Sequence, residues 1–299
     1  GRPMTGHDVP TPAPAVLARH NLPEPAPLSR LALHTVTTKP WSVDTAIEKY
    51  AAAGVRGISI WRDTIEGRDE AGLFAVRRHM ADAGVTPVSL VRGGFFASAD
   101  AEVRTAALEE NRRAIREAES LGLPLIVLVC GADPAQPLAA SREQITEALQ
   151  ILAPEAQTAG VRLAVEPLHP MYADTRSAVS TLGQANDICR DVNHSAVAVA
   201  VDVYHLWWDP DLEREITRCG ENGWLAAFHV CDWKVPTADM LLDRGLMGEG
   251  CIDIPRIRSW VESAGFTGMI EVEIFSESYW AQNQDDFLRQ IVNAYRDYV

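Results

Sequence analysis

AVAVAVDVYH, residues 196–205, is a continuous apolar run that ends in an acid and, three residues later, a histidine. A run with no polar alternation suits a parallel strand buried on both faces. The same grammar extends in both directions. VRLAVEP (161–167) precedes this run, and WLAAFHVC (224–231) and GMIEVEIF (268–275) follow it. Upstream lie LALHT (31–35), VRGISIW (55–61), TPVSLVR (86–92) and LPLIVLVC (123–130). Helix-like segments fill the intervals, among them Glu70–Ala83, Ala101–Leu121, Arg142–Ala159 and Ala178–Asp191. Ala-Gly-Val recurs at 53–55, 83–85 and 159–161. A glycine that closes a helix just before a strand is the left-handed cap of an αβ connection.

Eight such units predict a closed (β/α)8 barrel, the α/β TIM-barrel fold. An open doubly wound sheet would call for a glycine-rich nucleotide turn after the first strand, and LALHTVTTKPW has none. No internal boundary interrupts residues 28–299, which read as one domain. Residues 1–27 read as a Pro-rich arm, lying on the barrel, left mobile or covering a neighbouring subunit's site, with Gly1-Arg2-Pro3 as a tag remnant.

Composition narrows the function. The 299 residues carry a formal net charge of −14, which opposes nucleic acid or an anionic membrane as partner. No run of the arm resembles a signal peptide or a membrane span. Five cysteines without a Cys-x-x-Cys pair predict a reducing, cytoplasmic location.

Active sites of such barrels form at the C-terminal ends of the strands. Four good ligands for a divalent cation fall there on consecutive strands. Glu166 ends the fifth, Asp202 the sixth and His229 the seventh, while Glu273 lies in the eighth. Three carboxylates and an imidazole suit Mn²⁺, Mg²⁺ or Co²⁺, and Zn²⁺ also fits. Taken singly, each has an ordinary alternative, a rim salt bridge or a core histidine. Cys231, two residues after His229, is either a soft ligand or part of the wall. Other mouth positions are polar and aromatic together: His34, Trp61, Arg92, His169, Tyr172, Trp207 and Trp208. They read as a sugar-binding rim or as loop and subunit packing.

The order Glu…Asp-x-x-His…His…Glu, with HVCDW and the later GEGCIDIP, resembles the xylose-isomerase-like TIM-barrel superfamily from about residue 30 onward. That family includes ketose 3-epimerases, inosose dehydratases and isomerases, hydroxypyruvate isomerases and the endonuclease IV branch. The resemblance implies a Mn²⁺-type metal on Glu166, Asp202, His229 and Glu273, with Glu166 and Glu273 also facing the substrate from opposite sides as the proton-transfer pair. It implies substrate contacts for His205 and Asp232, and Lys234 either holds a substrate oxygen or faces solvent.

Two positions depart from the ketohexose 3-epimerase pattern. Tyr172 stands where those enzymes carry a second substrate glutamate, and Val235 where they carry an arginine. Arg244, in LLDRGLMGEG, is either a replacement cation or a surface residue. The expected function is a metal-dependent isomerase or epimerase of a non-phosphorylated keto sugar, cyclitol or keto-glycoside, working through an enediolate. A lyase on the same site and a non-catalytic sugar-binding subunit are the alternatives. A homo-oligomer is expected from the resemblance, with Trp207, Trp208 and Trp280 as contact candidates.

Overall fold

Each apolar run becomes one strand in the computed structural model, which describes residues 23–299. The elements follow in the order β1 (Leu31–His34), α1 (Val43–Ala52), β2 (Gly57–Trp61), α2 (Glu70–Ala83), β3 (Thr86–Gly94), α3 (Ala101–Leu121), β4 (Leu125–Val129) and α4 (Leu138–Thr158). They continue as β5 (Arg162–Val165), α5 (Leu182–Val192), β6 (Val197–Asp202), α6 (Val203–Leu206), α7 (Leu212–Glu221), β7 (Leu225–Val230), α8 (Ile254–Ser263), β8 (Ile270–Val272), α9 (Glu277–Trp280) and α10 (Gln284–Tyr298). All eight strands pair in parallel in sequence order, and β1 closes on β8.

Strand alternation divides the apolar residues into two sets. Val197, Val199 and Val201 of β6 pack outward with Leu182, Ala185 and Ile188 of α5 in the large cluster between strands and helices. Val91, Leu125, Val127, Ala164, Ala198, Ala200 and Ala227 form a separate buried cluster, the barrel interior. On β5, β6 and β7 that interior is alanine, so the space above it is left to the next residues of the same parity. Those residues are Glu166, Asp202 and His229.

Backbone conformation supports the junctions at two glycines in particular. Gly84 ends α2 at φ 71°, the left-handed cap expected from the Ala-Gly-Val signal. At Gly94, φ is 110° and a Cβ would stand 2.0 Å from the Val129 carbonyl oxygen, so only glycine lets β3 approach β4 there.

One expectation needs adjustment. β8 ends at Val272, so Glu273 is the first residue beyond the strand rather than within it. Residues 1–22 of the Pro-rich arm lie outside the described residues. The arm's last part is tied down, with Arg258 of α8 donating to the Glu24 carbonyl and Tyr295 Oη of α10 donating to the Pro27 carbonyl at 2.7 Å. Among the described residues no helix is long and apolar enough to cross a membrane.

Candidate metal centre

The four side chains singled out by strand position converge. Glu166, Asp202, His229 and Glu273 each bring one ligand atom to within 4.8 Å of the others. Nδ1 of His229 is the central atom, 3.0 Å from Glu166 Oε2, 3.2 Å from Glu273 Oε2 and 3.8 Å from Asp202 Oδ2. All four residues are buried. Asp202 Oδ1 accepts from the Tyr204 amide at 2.8 Å, which fixes the carboxylate and leaves Oδ2 free. Asp202 Oδ2 and Glu273 Oε2 are buried with no hydrogen-bond partner. An orphaned, buried carboxylate oxygen is costly unless a cation satisfies it.

Electrostatics point the same way. Burial, reinforced by the neighbouring acids, pushes the Glu166 carboxyl up to about 7. His229 is driven well above its usual range because the surrounding carboxylates outweigh its burial. The metal-free site therefore gathers protons to offset its own charge, and a divalent cation would take their place. The donor set of three carboxylates and one imidazole fits Mn²⁺, Mg²⁺, Co²⁺ or Zn²⁺.

Arg244 reaches this centre from the loop between β7 and α8. It is buried rather than a surface residue, its guanidinium carbon 4.1 Å from the Tyr204 ring centroid and 4.9 Å from that of Phe275. Nη1 lies 3.8 Å from Glu273 Oε1 and 3.9 Å from Asp202 Oδ2. Nη2 lies 3.5 Å from His205 Nε2, and Nε is buried without a partner. His205 Nδ1 accepts from the His169 amide at 3.0 Å, so the proton of its neutral ring sits on Nε2. Burial, outweighing the pull of Asp202, holds this imidazole neutral by lowering it to about 4. The Tyr172 hydroxyl is likewise buried and unpartnered, its ring 6.1 Å from that of His205. The guanidinium and the Nε2–H stand as buried donors beside the carboxylates, suited to an oxygen-rich ligand, with the Tyr172 ring next to His205.

The remaining candidates occupy distinct places. His34 is buried at the end of β1, and its Nδ1 accepts from Trp61 Nε1 at 3.0 Å. Trp61 also sets its ring edge against Phe275, with 5.2 Å between centroids. Trp208 donates to the His205 carbonyl at 2.6 Å and meets His169 edge-on. His169 uses Nδ1 to accept from the Met171 amide. Arg92 stands half-buried at the rim over the Phe95 ring, and burial lowers its pKa, with the Arg176 charge adding to the effect.

Asp232 and Lys234 are engaged within the loop. Asp232 accepts from the amides of Trp233 (2.9 Å), Gly248 (2.9 Å) and Ile252 (3.0 Å), which moors the segment carrying Arg244. Lys234 Nζ pairs with Asp243 at 2.9 Å. Cys231 is buried, with its Sγ 3.9 Å from Arg244 Nη1. Trp280 donates to the Val36 carbonyl, and Trp207 is partly buried against the core.

One group escaped the sequence reading. Glu271 lies inside the barrel beneath Glu273, buried, with its Oε1 3.0 Å from His34 Nε2 and 2.5 Å from Ser59 Oγ. Ser89 Oγ donates onward to Ser59 Oγ at 2.7 Å. The signal was present in the spacing Glu-Val-Glu, since residues two apart on a strand share a face.

Comparison with known proteins places this geometry. A family model described as xylose isomerase-like TIM barrel matches residues 47–294. An inosose isomerase of Bacillus licheniformis is 25% identical over 213 residues, which cover 69% of this chain and 73% of that enzyme. A solved protein of Sinorhizobium meliloti superposes with a TM-score of 0.86 at 42% identity, covering 91% of this chain and 98% of the other. A protein named IolI, solved with a bound zinc atom, shares the fold with a TM-score of 0.77 at 19% identity, over 89% of this chain and 96% of that one.

Proposed function

The chain belongs to the xylose isomerase-like TIM-barrel family, and on that premise we propose that it is a divalent-metal-dependent isomerase or epimerase of a non-phosphorylated keto sugar, cyclitol or keto-glycoside. The observation that carries this reading is the meeting of two walls of opposite character. Glu166, Asp202, His229 and Glu273 share one point, and the buried donors of Arg244 and His205 stand beside it. A polyol ketone presents oxygens to both walls.

Mn²⁺ is the proposed ion; bound by Glu166, Asp202, His229 and Glu273, it would polarise the substrate carbonyl and acidify the neighbouring C–H. Glu273 removes that proton and leaves an enediolate, whose oxygen charge the Arg244 guanidinium and His205 Nε2–H face. Glu166, the other carboxylate of the site, is the group that returns a proton. Return to the opposite face of the same carbon gives epimerisation, and return to the adjacent carbon gives isomerisation. The kinship with an inosose isomerase supports unchanged mass over loss of water. The buried, unpartnered Tyr172 hydroxyl supports a second reading, a lyase in which that group protonates a departing hydroxyl.

Incubation of the Mn²⁺-loaded protein with ketoses, inososes and 3-keto-glycosides in D₂O tests the proposal. Metal-dependent deuterium uptake next to a carbonyl, with product mass otherwise unchanged, is the expected result. Deuterium uptake accompanied by a product lighter by one water would replace the isomerase with the lyase. A protein that binds no divalent ion would end the metal-dependent reading.

A further inference from the structure

Glu271 has no place in the proton-transfer scheme, yet it is a charge inside the barrel, 1% exposed. A buried carboxylate is retained only where donors surround it. On this chain those donors lead to the metal ligand His229. β8 pairs with β7 so that Glu271 lies opposite His229, and with β1 so that Glu271 lies opposite Ala32. The alanine on one side leaves room for the carboxylate to reach across the barrel.

The hydrogen positions follow from the partners. An indole N–H only donates, so His34 Nδ1, which receives Trp61 Nε1 at 3.0 Å, is an acceptor and the His34 proton is on Nε2. That Nε2–H donates to Glu271 Oε1, as does Ser59 Oγ. Oε1 is thereby committed, and Oε2 faces His229 Nε2 at 3.5 Å, an imidazole nitrogen that is buried with no hydrogen-bond partner. The opposite nitrogen of the same ring, Nδ1, is the one within reach of Glu166, Asp202 and Glu273. His34 and His229 meet edge to face, with ring centroids 4.6 Å apart, so the one carboxylate bonds the first imidazole and lies 3.5 Å from the second.

We propose that Glu271 is a positioning residue for the metal centre: it accepts the Nε2–H of His229, fixes that tautomer and turns Nδ1 toward the ion. Ser59, His34 and Trp61 hold Glu271 in that pose in turn. Outer partners of this kind orient a ligating imidazole and raise its basicity, and their loss typically costs about 10- to 100-fold in metal affinity. The proposal rests on the metal reading of the site above.

The test uses the full chain, Zn²⁺ and Mn²⁺, and two readouts independent of turnover. Calorimetric titration of Glu271→Gln is expected to show Zn²⁺ and Mn²⁺ affinity lower by about 10- to 100-fold than wild type. Nitrogen-15 spectra of histidine-labelled, Zn²⁺-loaded wild-type protein are expected to show His229 metal-bound through Nδ1, with a slowly exchanging proton on Nε2. The second readout needs no variant, so it decides the matter even where Glu271→Gln does not fold. His229 bound through Nε2, or variant affinities within twofold of wild type, would overturn the role of Glu271 while leaving the metal site standing. Wild-type protein that binds neither ion would overturn both.

Discussion

Nη2 of Arg244 lies 3.5 Å from Nε2 of His205, and both nitrogens carry hydrogen. Neither can accept from the other, so the pair is held together by the walls around it. The Tyr204 and Phe275 rings sandwich the guanidinium, and the His169 amide fixes the imidazole. Two buried donors aimed at one space await an acceptor, a place that an oxygen of the proposed substrate would take. Arg244→Met should therefore lower kcat/KM by about 10- to 100-fold, the worth of charge-assisted hydrogen bonds. Arg244→Lys should not restore it, because an ammonium lacks the planar fork. Steady-state kinetics at saturating Mn²⁺ decide this, and wild-type kcat/KM in the methionine variant would remove Arg244 from substrate contact.

Glu166→Gln and Glu273→Gln keep size and shape while removing the basic oxygen from either side of the site. Each should reduce turnover by about 10²- to 10⁴-fold, the usual contribution of a positioned acid or base, with the circular dichroism spectrum unchanged. Deuterium exchange separates the two roles. If Glu273 removes the proton, Glu273→Gln loses exchange, whereas Glu166→Gln retains exchange and loses product. Full turnover in either variant with metal bound would take that glutamate out of the proton-transfer pair.

The barrel was legible because its strands are long apolar runs ended by glycine-capped helices, features carried by adjacent residues. The four candidate ligand positions were legible for a related reason, since the fold places every strand end on one face. Arg244 was ambiguous because its position depends on a loop moored by Asp232 through amides as distant as Gly248 and Ile252. No local pattern announces such bonds. Glu271 was passed over because an acid one turn of the pleat below a candidate ligand looks like strand filling until His34 and Ser59 are found beside it.

His205 gives the fold a pH dependence of known sign. Burial lowers its folded-state pKa to about 4, below the ordinary 6.5 of an unfolded chain. Between those values the unfolded chain binds the extra proton, so the contribution of His205 is fully present above pH 6.5 and is lost as pH falls toward 4. From pH 7 to pH 5 this one residue should cost roughly 2 kcal/mol of stability. Urea denaturation of metal-free protein at the two pH values should show a steeper loss in wild type than in His205→Gln. Equal losses would mean that the imidazole is not buried neutral.

Asp232 serves the site through the backbone. Its carboxylate takes three amides from Trp233, Gly248 and Ile252, so Asp232→Ala should leave buried donors unpaired and cost about 3 kcal/mol or more. Because the same loop carries Arg244, KM should rise along with the loss of stability, while metal affinity stays near wild type. Thermal denaturation and Mn²⁺ titration of the one variant check both halves. A variant with unchanged Tm but impaired substrate affinity would return Asp232 to direct substrate contact.

Metal removal should act on stability as well as activity. The buried oxygens of Asp202 and Glu273 have no protein partner, and His229 must stay protonated to offset the carboxylates around it. An ion that binds only the folded chain adds stability in proportion to the logarithm of its excess over Kd, about 2.7 kcal/mol at a hundredfold excess. For a chain of 299 residues, at roughly 2.1 cal/mol/K of unfolding entropy per residue, that is about 4 °C in Tm. Scanning calorimetry should therefore show a fall of that order after chelation, reversed by Mn²⁺. The same titration on Glu273→Gln should recover less, since one of the four ligands has lost its charge. A Tm indifferent to Mn²⁺ in wild-type protein would mean that these four side chains hold one another rather than an ion.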